Sequence, residues 1–337
     1  MKKTFLKRPT TIMGMLLVAI VILFFVSLQT GAIQISPSQV VRTLFGYGTE
    51  RDALVLFEFR LPRMVIALLI GAGLAVSGAI LQSISQNDLA DPGILGINTG
   101  AGLAVVIFIF FFQGSLTGLG GFSVFIMPFF ALIGALVAAF LIYVLAWKQG
   151  ITPVRLILVG IGLNAAFSAL LIVIQLRMEP NDFMQATIWL TGSIWGTTWT
   201  YVWAVLPWIL ILIPLAFYKA RTLNVMQIGT QSAVSLGVPL ERERRTLLIL
   251  AVSLAAVSVA VGGGIAFLGL VAPHIARRLV GPRHEVLVPA AALTGALILL
   301  TADMIGRNLL APSEIPVGIV IAILGAPYFL YLLMRTP

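Results

Sequence analysis

The sequence predicts an all-α integral membrane protein with about ten transmembrane helices and both termini in the cytoplasm. Three observations carry that expectation. The 337 residues are 60 % hydrophobic and 10 % charged, with a mean hydropathy of +1.07. Soluble domains run at roughly 45–50 % apolar and 25 % charged, so this chain has too few charges to cover a water-soluble surface. Apolar stretches of about the 20 residues needed to cross hydrocarbon recur at 12–30, 62–83, 95–112, 121–146, 153–176, 199–218, 246–262, 264–280, 287–309 and 316–334. With both termini inside, 15 of the 21 Lys and Arg residues fall in cytoplasmic segments, as the positive-inside rule requires. Only Arg42, Arg51, Arg60, Arg63, Arg177 and Arg307 fall outside.

The first span follows the basic start Met1–Arg8, but its apolar run is long and no convincing small-residue cleavage site follows Thr30, so it reads as a retained helix. The eighth span is the weakest. Gly262-Gly263-Gly264 separates it from the seventh, and Pro273 lies inside it. Spans and short connections use up the chain, so residues 1–337 form a single transmembrane domain. The net charge of +9 is then a matter of topology, and nucleic acid is not an expected partner.

Two connections are long. In the external loop 31–61, Ser36-Pro37-Ser38-Gln39 reads as an N-cap, a proline at the first helical position and a polar third residue. Val40, Val41, Leu44 and Phe45 form an apolar face and Gly46 can end the helix. The segment fits a short helix on the outer membrane surface and a capped packing element equally well. In the cytoplasmic loop 219–245, Leu223, Met226, Ala233 and Leu236 supply apolar contacts, and Gly229 and Gly237 divide it into two short helices. Such a segment suits docking in a groove on another protein or lying on anionic lipid through Arg242, Arg244 and Arg245. Residues 82–100 also interrupt the apolar pattern. Asp91 before Pro92 reads as an N-cap for the third span, and the polar backbone there must be buried in protein or line water.

Enzyme chemistry is not expected. None of the five lysines ends a GxxxxGK[ST] motif, so the chain carries no P-loop. There are no cysteines, the two histidines are His274 and His284, and neither begins HExxH. The expectation is therefore no catalytic residue, no cofactor and no metal ligand. Membrane-interior ionisable residues, which ion-coupled carriers need, are also scarce. Asp303 is the exception, and Arg307 four residues on can pair with it. Asn98, Asn164, Gln175 and His274 are uncharged polar residues suited to interhelical hydrogen bonds. Gly71, Gly73, Gly78, Gly160 and Gly162 allow close helix approach.

Long ordered motifs add a resemblance. RLPRMVIALLIGAGLAVSGAILQSISQNDLADPGILGINTGAG (60–102) resembles the N-terminal signature of the FecCD-type permeases. GGGIAFLGLVAPHIARRLVGPRHEVLVPAAALTGALILLTADMIGRNLLAPSEIPVGIVIAILGAPYFLYLL (262–333) resembles their C-terminal signature, with LILVGIGLNAAFSAL (156–170) and WLTGSIWGTTW (189–199) between. These are the membrane subunits of ABC importers for iron–siderophores, haem and cobalamin. The resemblance implies a cobalamin-importer-permease-like (type II ABC importer) fold in the bacterial cytoplasmic membrane, moving an iron–siderophore chelate. A cobalamin or haem permease is the alternative within the class, and an ion-coupled secondary transporter the alternative outside it.

The implied partners are a cytoplasmic ABC ATPase dimer, a second permease subunit (identical or related), an extracytoplasmic substrate-binding protein, the metal-chelate substrate and membrane lipid. The resemblance also implies roles. Arg60, Arg63 and Arg307 match positions facing the binding protein. Gly229, Ala233, Leu236 and Gly237 match the core of the coupling helices in the ATPase groove. Thr152 and Pro153 match the region of the inner gate, with Asn164 on the pathway. Asp88 stands where many members have proline, so the turn there is expected to differ.

Overall fold

The computed structural model describes residues 9–31, 33–112, 123–148, 150, 152–229, 235 and 239–335. Its regular structure is helical: α1 Pro9–Gln29, α2 Pro37–Leu44, α3 Glu50–Ala53, a π-helical turn Leu54–Arg60, α4 Leu61–Ser85, α5 Ile97–Phe112, α6 Ser123–Ala146, α7 Pro153–Gln175, α8 Pro180–Leu190, α9 Trp199–Tyr218, α10 Ala220–Gln227, α11 Leu240–Gly262, α12 Leu268–Val280, α13 His284–Leu309 and α14 Val317–Arg335.

Eight described helical stretches are long and apolar enough to cross a membrane. The eighth predicted span is shorter, with α12 at 13 residues, and the helix of the third begins only at Ile97. Each follows an irregular segment. Before α5, the turn 91–96 is closed by Leu95 N–H to Asp91 O and Ile97 N–H to Pro92 O, both 3.2 Å. Before α12, Gly263 and Phe267 have positive φ of 71° and 65°. Irregular backbone is tolerable at membrane depth only when protein satisfies it, and the segment preceding α12 is tied down by Gly264 N–H donating to Trp189 O at 3.2 Å.

The bundle is built round α4. In its most apolar stretch 78 % of residues are buried, against 11 % in α7. α4 packs chiefly on α13, α11 and α12, and also on α9, while α5, α6 and α7 form a neighbouring group joined through α6 and α11. Glycines set the spacing. A Cβ on Gly71 would fall 2.5 Å from Gly295 O, one on Gly295 2.2 Å from Gly71 O, and one on Gly78 1.8 Å from Gly269 O. The backbones of α4, α12 and α13 therefore touch with no side chain between them.

Two segments differ from expectation. The external connection is not loop up to residue 61: the helix leading into α4 starts at Glu50 and is continuous to Ser85. Pro62 has no N–H and would clash with the carbonyl four residues back in a regular helix. The chain meets this with a π turn, in which Leu61 N–H reaches Leu56 O. Residues 180–190, read as connection, form α8. Pro180 at its first position and Asp182 in its first turn are helix-start signals. The predicted cap of α2 is present: Gln39 N–H donates to Ser36 Oγ at 3.3 Å and Ser36 N–H to Gln39 Oε1 at 2.9 Å. Val40 is buried, while Val41, Leu44 and Phe45 are exposed.

Candidate functional site

Polar side chains gather at three depths. At the end of the bundle carrying α2, the three arginines expected to face a partner are brought together around a cavity of about 160 Å³. All are buried, and their own chain holds them. Arg63 Nε donates to Asp303 Oδ1 and its Nη1 to Glu314 Oε2, both at 2.7 Å. Arg307 Nε lies 3.0 Å from Asp303 Oδ2, and its Nη2 donates to Ser27 Oγ. Arg60 donates to the Leu28 and Ile33 carbonyls. The pairing of Asp303 with Arg307 follows their spacing on one helix face. Arg63 and Glu314, from the other elements, complete a network of alternating sign in which Asp303 is wholly buried.

At mid-depth, Asn98, Thr99, Asn164 and Phe267 line a cavity of about 250 Å³. Asn98 Nδ2 donates to Ile265 O at 2.9 Å, and Thr99 Oγ1 donates to Asn164 Oδ1. Asn164 thus ties α7 to α5, while Asn98 ties α5 to the irregular segment before α12. Asp91 borders the same cavity. It lies in the connection between spans, and desolvation pushes its carboxyl up to about 6. Backbone N–H groups of Gly93, Ile94 and Leu270 oppose that shift. Asp91 thus caps the turn before α5 and the first turn of α12, not α5 directly. Thr152 and Pro153 open α7. Asn164 is eleven or more residues further along, roughly 17 Å at helical rise. Thr152 and Pro153, expected at the gate, and Asn164, expected on the pathway, therefore lie at separate levels of α7.

At the end carrying α10, Leu223 and Met226 are buried as expected. Gly229 has φ of 109°, a conformation that suits glycine alone, and ends α10. Ala233, Leu236 and Gly237 lie outside the described residues. Lys219 Nζ sits 2.8 Å from Glu243 Oε2, closing the base of the 219–245 connection. Asp88, at the position of the departure from the motif, accepts a hydrogen bond from Arg277 Nη1. Sequence reasoning missed Asn224, His284 and Ser83, which meet here through hydrogen bonds. Their separations of 60 and 201 residues leave no local signal.

A bundle of apolar helices, eight of them among the described residues long enough to cross a membrane, with a buried charge network at one end and a polar-edged cavity between helices, is the build of a multi-pass membrane protein. Comparison with known proteins makes this specific. The chain belongs to the FecCD transport family, whose pattern matches residues 19–335. It is 60 % identical to the iron(3+)-hydroxamate import system permease protein FhuG of Bacillus subtilis (strain 168), over 99 % of both chains. It is 44 % identical to the iron-uptake system permease protein FeuC of the same organism, over 94 % of this chain and 95 % of that one. Among solved structures, a metal-chelate type ABC transporter in an inward-facing conformation aligns with a TM-score of 0.82 at 30 % identity, covering 98 % of this chain and all of the other. The protein is thus a permease of the cytoplasmic membrane.

Proposed function

We propose that the chain is the permease subunit of an ABC importer that carries an iron(III)–hydroxamate siderophore chelate inward, driven by ATP hydrolysis in a separate subunit. The observation that carries this is the 60 % identity to a hydroxamate import permease over 99 % of both chains. Both termini and residues 219–245 lie in the cytoplasm, and residues 31–61 outside. The 219–245 connection docks in the ATPase through Gly229, Ala233, Leu236 and Gly237. A second permease subunit completes the pathway, and an extracytoplasmic binding protein delivers the chelate to the end that holds Arg60, Arg63 and Arg307. The missing P-loop fits a chain that leaves hydrolysis to its partner.

The test is uptake of a radioiron-labelled hydroxamate chelate by proteoliposomes holding the permease, its ATPase and its binding protein. The expected result is uptake that requires internal ATP, survives a protonophore, and is competed by hydroxamate chelates but not by haem or cobalamin. Haem or cobalamin competition would reassign the substrate. Uptake abolished by the protonophore with ATP held constant would replace the importer with an ion-coupled carrier.

A further inference from the structure

Asn224 on α10, His284 at the start of α13 and Ser83 in the last turn of α4 form one hydrogen-bonded bridge. Asn224 Oδ1 accepts from the His284 backbone N–H at 2.8 Å and pairs with its ring Nδ1 at 2.9 Å. Asn224 Nδ2 donates to Glu285 Oε2 at 2.7 Å. On the far side of the ring, Nε2 lies 2.6 Å from Ser83 Oγ. In a neutral ring, Nδ1–H donation to Asn224 leaves Nε2 as an acceptor for the Ser83 hydroxyl, whose single proton is also within reach of Ala79 O at 2.8 Å. His284 is 0 % exposed, so a broken bridge would leave its buried ring nitrogens without partners, at a cost, while Ser83 keeps the Ala79 carbonyl.

The surroundings give the bridge leverage. Gln86 Nε2, one residue past α4, donates to Met226 O at 3.1 Å. Lys219 and Glu243 close the base of the same connection. α10 is therefore pinned to α4 and α13 by directional contacts, beside the apolar contacts of Leu223 and Met226. Apolar contacts alone can slide, whereas a hydrogen-bonded chain in low dielectric holds one register. The two helices it reaches touch backbone to backbone at Gly71 and Gly295, so they form one closely packed pair.

We propose that the Asn224–His284–Ser83 bridge transmits movement of the 219–245 connection to the α4–α13 pair, making these three the positioning residues that couple transport to ATP hydrolysis. This rests on the reading of 219–245 as the ATPase-docking segment. The experiment compares wild type, Asn224→Ala, Ser83→Ala, the double variant and Asn224→Asp paired with Glu285→Gln in the full reconstituted complex. It reads ATPase bound, ATP hydrolysed and chelate moved per ATP.

Asn224→Ala and Ser83→Ala are expected to bind the ATPase at wild-type stoichiometry and hydrolyse ATP, while chelate moved per ATP falls by about tenfold, within the range of coupling changes along a physical linkage. The double variant should be no worse than Asn224→Ala alone, because both remove one linkage. Asn224→Asp paired with Glu285→Gln keeps the oxygen that His284 uses and replaces the Asn224–Glu285 contact with the reverse amide-to-carboxylate one, and should recover most of the coupling. Unchanged chelate per ATP in both single variants, with a coupled wild type, overturns the inference alone. So does a double variant whose losses multiply, or variants that lower only the amount of folded complex. A wild-type complex that neither holds the ATPase nor moves chelate on ATP overturns the importer reading and this inference with it.

Discussion

Asp303 shows how one buried carboxylate can decide the fate of its neighbours. It is wholly buried between the guanidiniums of Arg63 and Arg307. Asp303→Asn would leave those two cations facing each other, with only Glu314 to offset them. Removing one partner of a buried ion network costs about 3–5 kcal/mol, and thermal unfolding in detergent should report a loss of that order. Glu314 has a side chain 31 % exposed, so Glu314→Gln should cost about 1 kcal/mol or less. It also releases one guanidinium nitrogen of Arg63 towards the outside. If the binding protein docks at this end, as proposed, an acidic side chain on it that engages Arg63 competes with Glu314. Glu314→Gln is then expected to tighten binding-protein docking severalfold in a surface-binding assay, and weaker docking would argue that Glu314 itself contributes to the surface. At this scale the sequence was partly legible. The spacing of Asp303 and Arg307 sufficed to pair them, because four residues along a helix place two side chains on one face. Arg63 lies 240 residues from Asp303, and such a contact leaves no trace in local pattern. His284 was visible only as a histidine outside any metal motif.

Helices were legible where composition alone decides them and obscure where tertiary contacts do. The long apolar runs of α1, α4, α6, α7, α9, α11, α13 and α14 all fall on predicted spans, because lipid and core alike demand apolar residues over that length. α8 and the helix from Glu50 were missed because both are shorter or more polar and are held by packing: Trp199 Nε1, for example, donates to Phe57 O at 2.7 Å. The shortness of α12 and the late start of α5 could not be read either, since they come from irregular segments tied to other parts of the chain. The glycine-rich pattern of α4 was legible as close approach but not as a particular partner. That partner can be tested. Gly78→Ala would put its Cβ 1.8 Å from Gly269 O, which is backbone and cannot swing aside. α4 and α12 would have to separate, so a loss of at least the 1–3 kcal/mol typical of overpacking is expected. Thermal unfolding and folded yield are the readouts. Gly162→Ala is the control, with nothing within 4 Å of its Cβ; it should unfold as wild type does.

Taken as a whole, the molecule leaves one face of α7 uncovered. Only 11 % of the most apolar stretch of α7 is buried. Its exposed face combines large residues, Val154, Leu158, Ile172 and Val173, with small ones, Gly162, Ala165, Ala166 and Ala169. A face meeting only lipid gains nothing from small residues, since lipid tails fill any gap. A face meeting another helix gains close van der Waals approach from them. Asn164 lies on the same helix and reaches the internal cavity, so α7 separates that cavity from whatever covers the exposed face. In the proposed importer a second permease subunit provides that cover. Gly162→Leu separates the possibilities, because the position has open space within this chain. Stability of the single chain should stay within about 0.5 kcal/mol of wild type, as for a surface substitution. Pairing with the second permease, measured by native mass spectrometry of the purified complex, should fall severalfold. Intact pairing with reduced chelate uptake would instead place Gly162 on the wall of the pathway. Intact pairing and intact uptake would leave α7 facing lipid.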